Sequence, residues 1–237
     1  DLARAFRAAV ECLQHLNRVD EIDEFREKAV AAHPGAWQLS AAVAQSYLNV
    51  PHFGYMIGGD FHRGQHRGGG KVVHATDRDR VRALRLYREA MKASLFLGDK
   101  DGPAEMLRHF AAALVSGQAW RLQLLTDLDQ LPVYQDGWGH GGEPQGAPVD
   151  AEGIPIVYAL PKSWDAAQND GERWRWVLET MVEWKPALRN DERMIRAQFL
   201  ESQFGVETLA QYGLMLPEPA DSAAEKSETL DGKTGIW

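Results

Sequence analysis

The feature that most constrains this chain is the amphipathic pattern over residues 77–95. Apolar residues recur there at intervals of three and four, the spacing of one helix face, while arginine and lysine occupy the opposite face. The apolar positions are Ala83, Leu84, Leu86, Tyr87, Ala90, Met91 and Leu95. The preceding TDRD motif predicts a capping box, in which Thr76 accepts from the amide of Asp79 and the Asp79 carboxylate reaches back. Such a helix has to bury its apolar face against other helices.

Further stretches have helical periodicity and end at proline or glycine. They are residues 2–16, 20–32, 37–50, 101–117, 170–184 and 187–204, and the pattern also continues helically from Trp120 to Pro132. The first three are joined by short connections, which favours antiparallel hairpins. Stacked hairpins of this kind build tetratricopeptide-like solenoids, where each hairpin buries its open face against the next. We therefore predict a mainly α fold of stacked antiparallel hairpins over residues 1–213.

Two insertions interrupt the helical pattern. Residues 51–75 are rich in glycine and histidine and are predicted to be an irregular loop. Residues 132–169 contain APVDAEGIPIVYALP, which predicts a β-hairpin with its turn at 150–153. Residues 214–237 have the composition of an acidic disordered linker. Because the chain opens on Asp1 without methionine or signal peptide, we interpret it as an excerpt truncated at both ends.

Charge and composition narrow the classes of function. The net charge of −8 argues against a nucleic-acid partner, and no apolar run approaches the roughly 20 residues that cross a bilayer. One cysteine excludes an internal disulfide. Residues 60–92 nevertheless carry nine lysines or arginines against four acids, which leaves a net charge of −13 for the rest of the chain. This basic patch suggests an acidic partner, either another part of the same molecule or another protein, but a solvated helix face is the favoured interpretation.

The first insertion also suggests a metal site. His62 and His66, with Asp60 nearby, have ligand types that zinc accepts. The glycine at position 64 and the run at 68–70 argue against a rigid helical pair of histidines, and the chain contains no HExxH motif. A metal-dependent hydrolase built on this loop therefore remains the alternative to a protein without catalytic activity.

No GxSxG motif or other activated nucleophile is present, so we predict neither an enzyme nor a cofactor. A glycan-binding module is a further alternative, since Trp138 and Trp164 lie in loops where an exposed ring could act as a platform. The arginines of the basic patch can pair with acids or with carbonyl groups. The candidate interaction surface comprises Arg63, Arg67, Arg82, Arg85, Arg88, Trp138 and Trp164.

Three runs of sequence carry a resemblance to a known family. They are RGQHRGGGKVVHATDRDRVRAL, GAPVDAEGIPIVYALPKSWDAAQNDGERWRW and QFGVETLAQYG. Together they resemble the helical, tetratricopeptide-like N-terminal region of very large bacterial alpha-2-macroglobulin-like proteins. The close resemblance covers about a third of the chain, and helical pattern alone extends it over the rest.

The resemblance implies an exported protein of the periplasm or cell envelope whose downstream domains engage or trap proteases. Some members carry a Cys-Gly-Glu-Gln thioester motif, but Cys12 is followed here by Leu13, so no functional residue of the family carries over. We therefore expect a helical-repeat scaffold without catalytic activity that contacts other domains of the same polypeptide or a partner protein.

Overall fold

The computed structural model describes residues 1–115, 119–138 and 156–204, together with positions 149, 152 and 154. This part of the chain is mainly helical and carries a small antiparallel sheet of four strands. The helices are α1 (Leu2–His15), α2 (Ile22–Ala32), α3 (Trp37–Leu48), α4 (Thr76–Ser94), α5 (Asp101–Val115), α6 (Asp170–Trp184) and α7 (Arg189–Phe204). The strands are β1 (Phe53–Ile57), β2 (Asp60–Arg63), β3 (Lys71–His74) and β4 (Gln135–Asp136).

These seven helices confirm the helical predictions, with ends that agree to within two residues. The predicted helical continuation to Pro132 is wrong, because Ala119–Gln123 form a short 3-10 turn and residues 124–132 contain no helix. At the start of α6 the N-cap is Asn169, whose side chain accepts from the amide of Glu172 at 2.8 Å. The next residue, Asp170, is fully buried, and its carboxylate accepts a hydrogen bond from Arg80 on α4.

Residues 51–75 were predicted to be an irregular loop, and this prediction is wrong. Three strands lie within this segment, with β1 in the centre between β2 and β3. Gly58 and Gly59 both have positive φ, 61° and 100°, which suits the two-residue turn that joins β1 to β2. Ile57 therefore lies opposite Asp60 across this turn. The fourth strand, β4, pairs with β3 and brings residues 135–136 to the sheet.

The β-hairpin predicted within 132–169 falls largely outside the described residues. Residues 156–161 belong to the described part and contain no strand, so the prediction of a second hairpin strand is wrong for these residues. The predicted acidic linker at 214–237 also lies outside the described residues. Within the described helices, none is long and apolar enough to cross a membrane.

The core lies mainly between helices that follow one another in the order of elements, although long segments separate some of them. α3 packs most extensively on α4, α5 packs on α6, and α4 also contacts α5. The predicted apolar face of α4 is buried in this core, where the Tyr87 ring stacks on Phe110 with centroids 5.4 Å apart. Leu95, at the end of that face, is exposed. This packing places the opposite, basic face of α4 towards α2, the sheet and residues 128–134.

Candidate interaction site

A buried ion pair joins the sheet to the start of α4. The predicted capping box is wrong: the N-cap of α4 is Ala75 and makes no side-chain cap. Asp79 is 2% exposed and forms a bidentate pair with Arg63, which is 3% exposed, through N–O distances of 2.7 and 2.8 Å. Two parallel charge-assisted hydrogen bonds of this kind fix orientation as well as charge. The strand β2 is thereby held on α4.

This ion pair belongs to a larger network that also includes α2. Arg63 Nε donates to Asp23 at 2.9 Å, and the buried Arg26 donates to the same carboxylate at 2.8 Å. His52 Nδ1 lies 2.7 Å from Asp79 Oδ2. Burial lowers the pKa of the Arg63 guanidinium, but its hydrogen bond to Asp79 and the charges of Asp23 and Asp79 outweigh burial and raise that pKa above its usual value. Arg63 therefore stays charged and structural, and it is not part of an exposed surface.

Other acids of the same chain neutralise much of the basic face of α4. Arg82 donates to both carboxylate oxygens of Glu27, at 2.8 and 2.6 Å, and Tyr47 Oη donates to Glu27 at 2.6 Å. Burial raises the pKa of Glu27, but the hydrogen bonds from Arg82 and Tyr47 outweigh it and lower that pKa overall. Arg88 pairs with Asp129 at 3.1 Å. The acidic partner that the sequence predicts thus lies partly within this molecule.

The groups around this network line an open cleft of about 450 Å³ between α2, α4 and residues 131–134. Its charged lining comprises Arg63, Arg78, Arg82, Arg85, Asp23, Glu27 and Asp79. The sequence predicted three of these arginines as an interaction surface, but it missed Arg78 and all three carboxylates. Tyr134, also missed, contributes an aromatic wall and stacks on Phe61 with ring centroids 4.5 Å apart.

Arg78 and Arg85 differ from the other arginines of the cleft. Arg78 Nη1 donates to the carbonyl of Pro132 at 3.0 Å, and its guanidinium lies 4.8 Å from the Tyr134 ring centroid. Arg85 Nε donates to the carbonyl of Leu128 at 2.6 Å, while its buried Nη2 has no acceptor in the described part of the chain. Within the described residues neither guanidinium pairs with a carboxylate. Among the described residues, the cleft therefore retains arginine N–H groups without a protein acceptor.

The structure separates the two tryptophans proposed as a glycan platform. Trp138 is 47% exposed at the edge of the sheet, where its ring centroid lies 5.5 Å from that of Phe53. Trp164 is 4% exposed and packs in the core, 5.1 Å from Phe110. A buried ring offers no face to a sugar, so the part of the glycan prediction that rests on Trp164 is wrong.

The histidine-rich segment does not assemble the predicted metal ligands. The rings of His62 and His66 lie 6.1 Å apart between centroids, and the chain turns between them at Gly64, whose φ is +84°. Asp60 is at the other end of β2. Across the part of the chain that is described, no three His, Cys, Asp or Glu side chains are grouped to hold a metal ion. Arg67 is exposed on the connection between β2 and β3.

An apolar tip projects where α4 ends. Leu95, Phe96 and Leu97 are consecutive and exposed, and the Phe96 side chain reaches 94% exposure. The sequence assigned Leu95 to the buried face and singled out neither of its neighbours. Three adjacent apolar side chains in water are unfavourable unless something covers them. We refer to residues 95–97 as the apolar tip.

Compared with family models, curated proteins and solved structures, the chain matches none of them.

Proposed function

We propose that this chain is a helical-repeat scaffold without catalytic activity that makes protein–protein or interdomain contacts. The observation that carries this proposal is the apolar tip, because exposed contiguous apolar side chains mark contact surfaces on soluble proteins. The stacking of helices on their neighbours in the chain supports a tetratricopeptide-like arrangement. In such arrangements the connections between helices are free to present contact residues.

The resemblance of three sequence runs supports the proposal that this scaffold is part of a large bacterial alpha-2-macroglobulin-like protein. Export to the periplasm or cell envelope, and downstream domains that engage proteases, follow from that resemblance. The contact would be made with the remaining domains of the polypeptide or with a partner protein.

Hydrogen exchange can test the contact directly. Amides of residues 93–99 would be compared in the isolated chain of 237 residues and in the polypeptide translated from the complete reading frame. We expect exchange to be at least about tenfold slower in the longer protein, because burial of the tip suppresses local opening. Replacing Phe96 by serine should abolish this difference.

Val133→Ser is the matched control, since Val133 is also a highly exposed apolar side chain but lies outside the tip. It should leave the protection of residues 93–99 unchanged. Equal exchange in the two proteins would contradict an interdomain contact at the tip. A reading frame without macroglobulin-like β domains would contradict the family, whatever the exchange result.

A further inference from the structure

The cleft between α2, α4 and residues 131–134 carries an excess of one positive charge. Four guanidiniums and three carboxylates line it. Two of the guanidiniums are committed to those acids: Arg63 donates to Asp79 and Asp23, and Arg82 donates to both oxygens of Glu27. The excess therefore resides on Arg78 and Arg85.

Arg78 and Arg85 lie on one face of α4. They are seven residues apart, which is about two helical turns, with Arg82 between them on the same face. Within the described residues each donates one hydrogen bond, to a backbone carbonyl, although a guanidinium carries five N–H donors. Most of their N–H groups are therefore left to water or to a ligand.

Arg85 has one donor that no described residue satisfies. Its Nη2 atom is fully buried and has no acceptor within the described residues, so an anion in the open cleft would meet the other N–H groups of this guanidinium. A buried donor that belongs to a charged group and lacks an acceptor destabilises the folded state substantially. Arg78 is held by the Tyr134 ring and by the Pro132 carbonyl, so its orientation is already fixed before any ligand arrives.

We propose that this cleft binds an oxyanion, the carboxylate or phosphate group of a small molecule, through the guanidiniums of Arg78 and Arg85. The planar fork of arginine matches both groups. A volume of about 450 Å³ leaves room for the rest of a small organic anion, with Tyr134 and Leu131 as its less polar wall. This site goes beyond the proposed scaffold function and depends on neither the apolar tip nor the family resemblance.

The test is a calorimetric titration of the protein with inorganic phosphate and, separately, with succinate, in chloride buffer at constant ionic strength. We expect a dissociation constant of about 1 mM or tighter for at least one of the two. Binding of phosphate alone identifies a phosphate site, and binding of succinate alone identifies a carboxylate site. Arg78→Gln and Arg85→Gln should each weaken that binding at least about tenfold, because each removes a charged donor.

Arg88→Gln is the matched control. It removes the same charge from the same helix, but Arg88 pairs with Asp129 and does not line the cleft. The Arg88→Gln variant should bind the anion with the same dissociation constant as the unmodified protein. Urea denaturation of each variant verifies that it is folded. If Arg78→Gln does not fold, Arg78→Lys, which keeps the charge, is used in its place. The proposal is overturned if neither anion binds, or if all variants bind as tightly as the unmodified protein.

Discussion

At the scale of single residues, the buried pair of Arg63 and Asp79 decides how the sheet is held. Both side chains are almost fully enclosed, so removing one partner leaves an uncompensated charge in the interior. We expect Arg63→Met to lower the free energy of unfolding by about 3–5 kcal/mol. Urea denaturation followed by tryptophan fluorescence measures this change.

The double variant Arg63→Met, Asp79→Leu distinguishes the attraction between the two charges from the cost of burying them. Because two buried charges then disappear together, it should lose less stability than Arg63→Met alone. Arg18→Gln is the control: the Arg18–Glu21 pair is exposed, and its loss should leave the urea midpoint almost unchanged. If Arg63→Met were as stable as Arg18→Gln, the buried pair would contribute nothing to stability.

Glu27 makes the stability of the fold depend on pH. Its pKa in the folded protein is lowered, so its contribution to stability is present above the unfolded value of about 4.3 and is lost as pH falls through the folded pKa. The side chain is half-exposed, which limits the effect to about 1 kcal/mol. In urea midpoints compared at pH 6 and pH 3, Glu27→Gln should show a smaller loss than the unmodified protein. Glu24→Gln, at an exposed pair with Lys28, should behave like the unmodified protein, and a Glu27→Gln loss of the same size would refute the assignment.

At the scale of elements, the packing of β2 on β1 requires a glycine at position 54, because neighbouring residues leave no room for a side chain. A Cβ at Gly54 would lie 2.3 Å from the His62 carbonyl oxygen and 2.6 Å from the Phe61 ring, so β2 would have to move. We expect Gly54→Ala to lower the free energy of unfolding by about 1–3 kcal/mol, the usual cost of overpacking. Gly69→Ala is the control, since a Cβ there meets nothing within 4 Å. Equal denaturation midpoints for the two variants would show that β2 yields without cost.

The helices could be predicted from sequence because their period of 3.6 is a local signal. The strands were missed although part of their signal is local too: Gly58-Gly59 separates FGYMI from DFHR, and paired glycines favour a two-residue hairpin turn. Glycine and histidine composition outweighed that turn in the prediction. β4 has two residues and offers no periodicity to detect.

The cleft could be predicted only in part. Arg82 and Arg85 follow from the spacing of the basic face, but their acceptors come from distant segments. Asp23 is 40 residues from Arg63, and Asp79 was assigned to a capping box because TDRD has that local pattern. Tertiary pairing with a buried arginine is stronger than a cap in water, and no single-sequence pattern reports it.

At the scale of the whole molecule, α3 to α6 pack on successive helices and the outer helices are attached to this group, so stability should vary along the chain. α4 is held by both α3 and α5, whereas α1 packs mainly on α3 and α7 makes few contacts beyond α6. Units held on one side open at lower free energy than units held on two. Hydrogen exchange should therefore be slowest in α4 and α5 and faster in α1 and α7.

Two core substitutions turn this gradient into a sharper test. Phe6→Ala removes a buried ring from α1 and should accelerate exchange mainly in α1, because that helix can open while the rest stays folded. Leu107→Ala removes a fully buried side chain from α5 and should accelerate exchange in α3 to α6 together, since these helices share the central core. Exchange measured by mass spectrometry on peptides from each helix gives both profiles. If the two variants accelerated every helix alike, the molecule would open as one unit, and stability would not decline from α4 and α5 towards its ends.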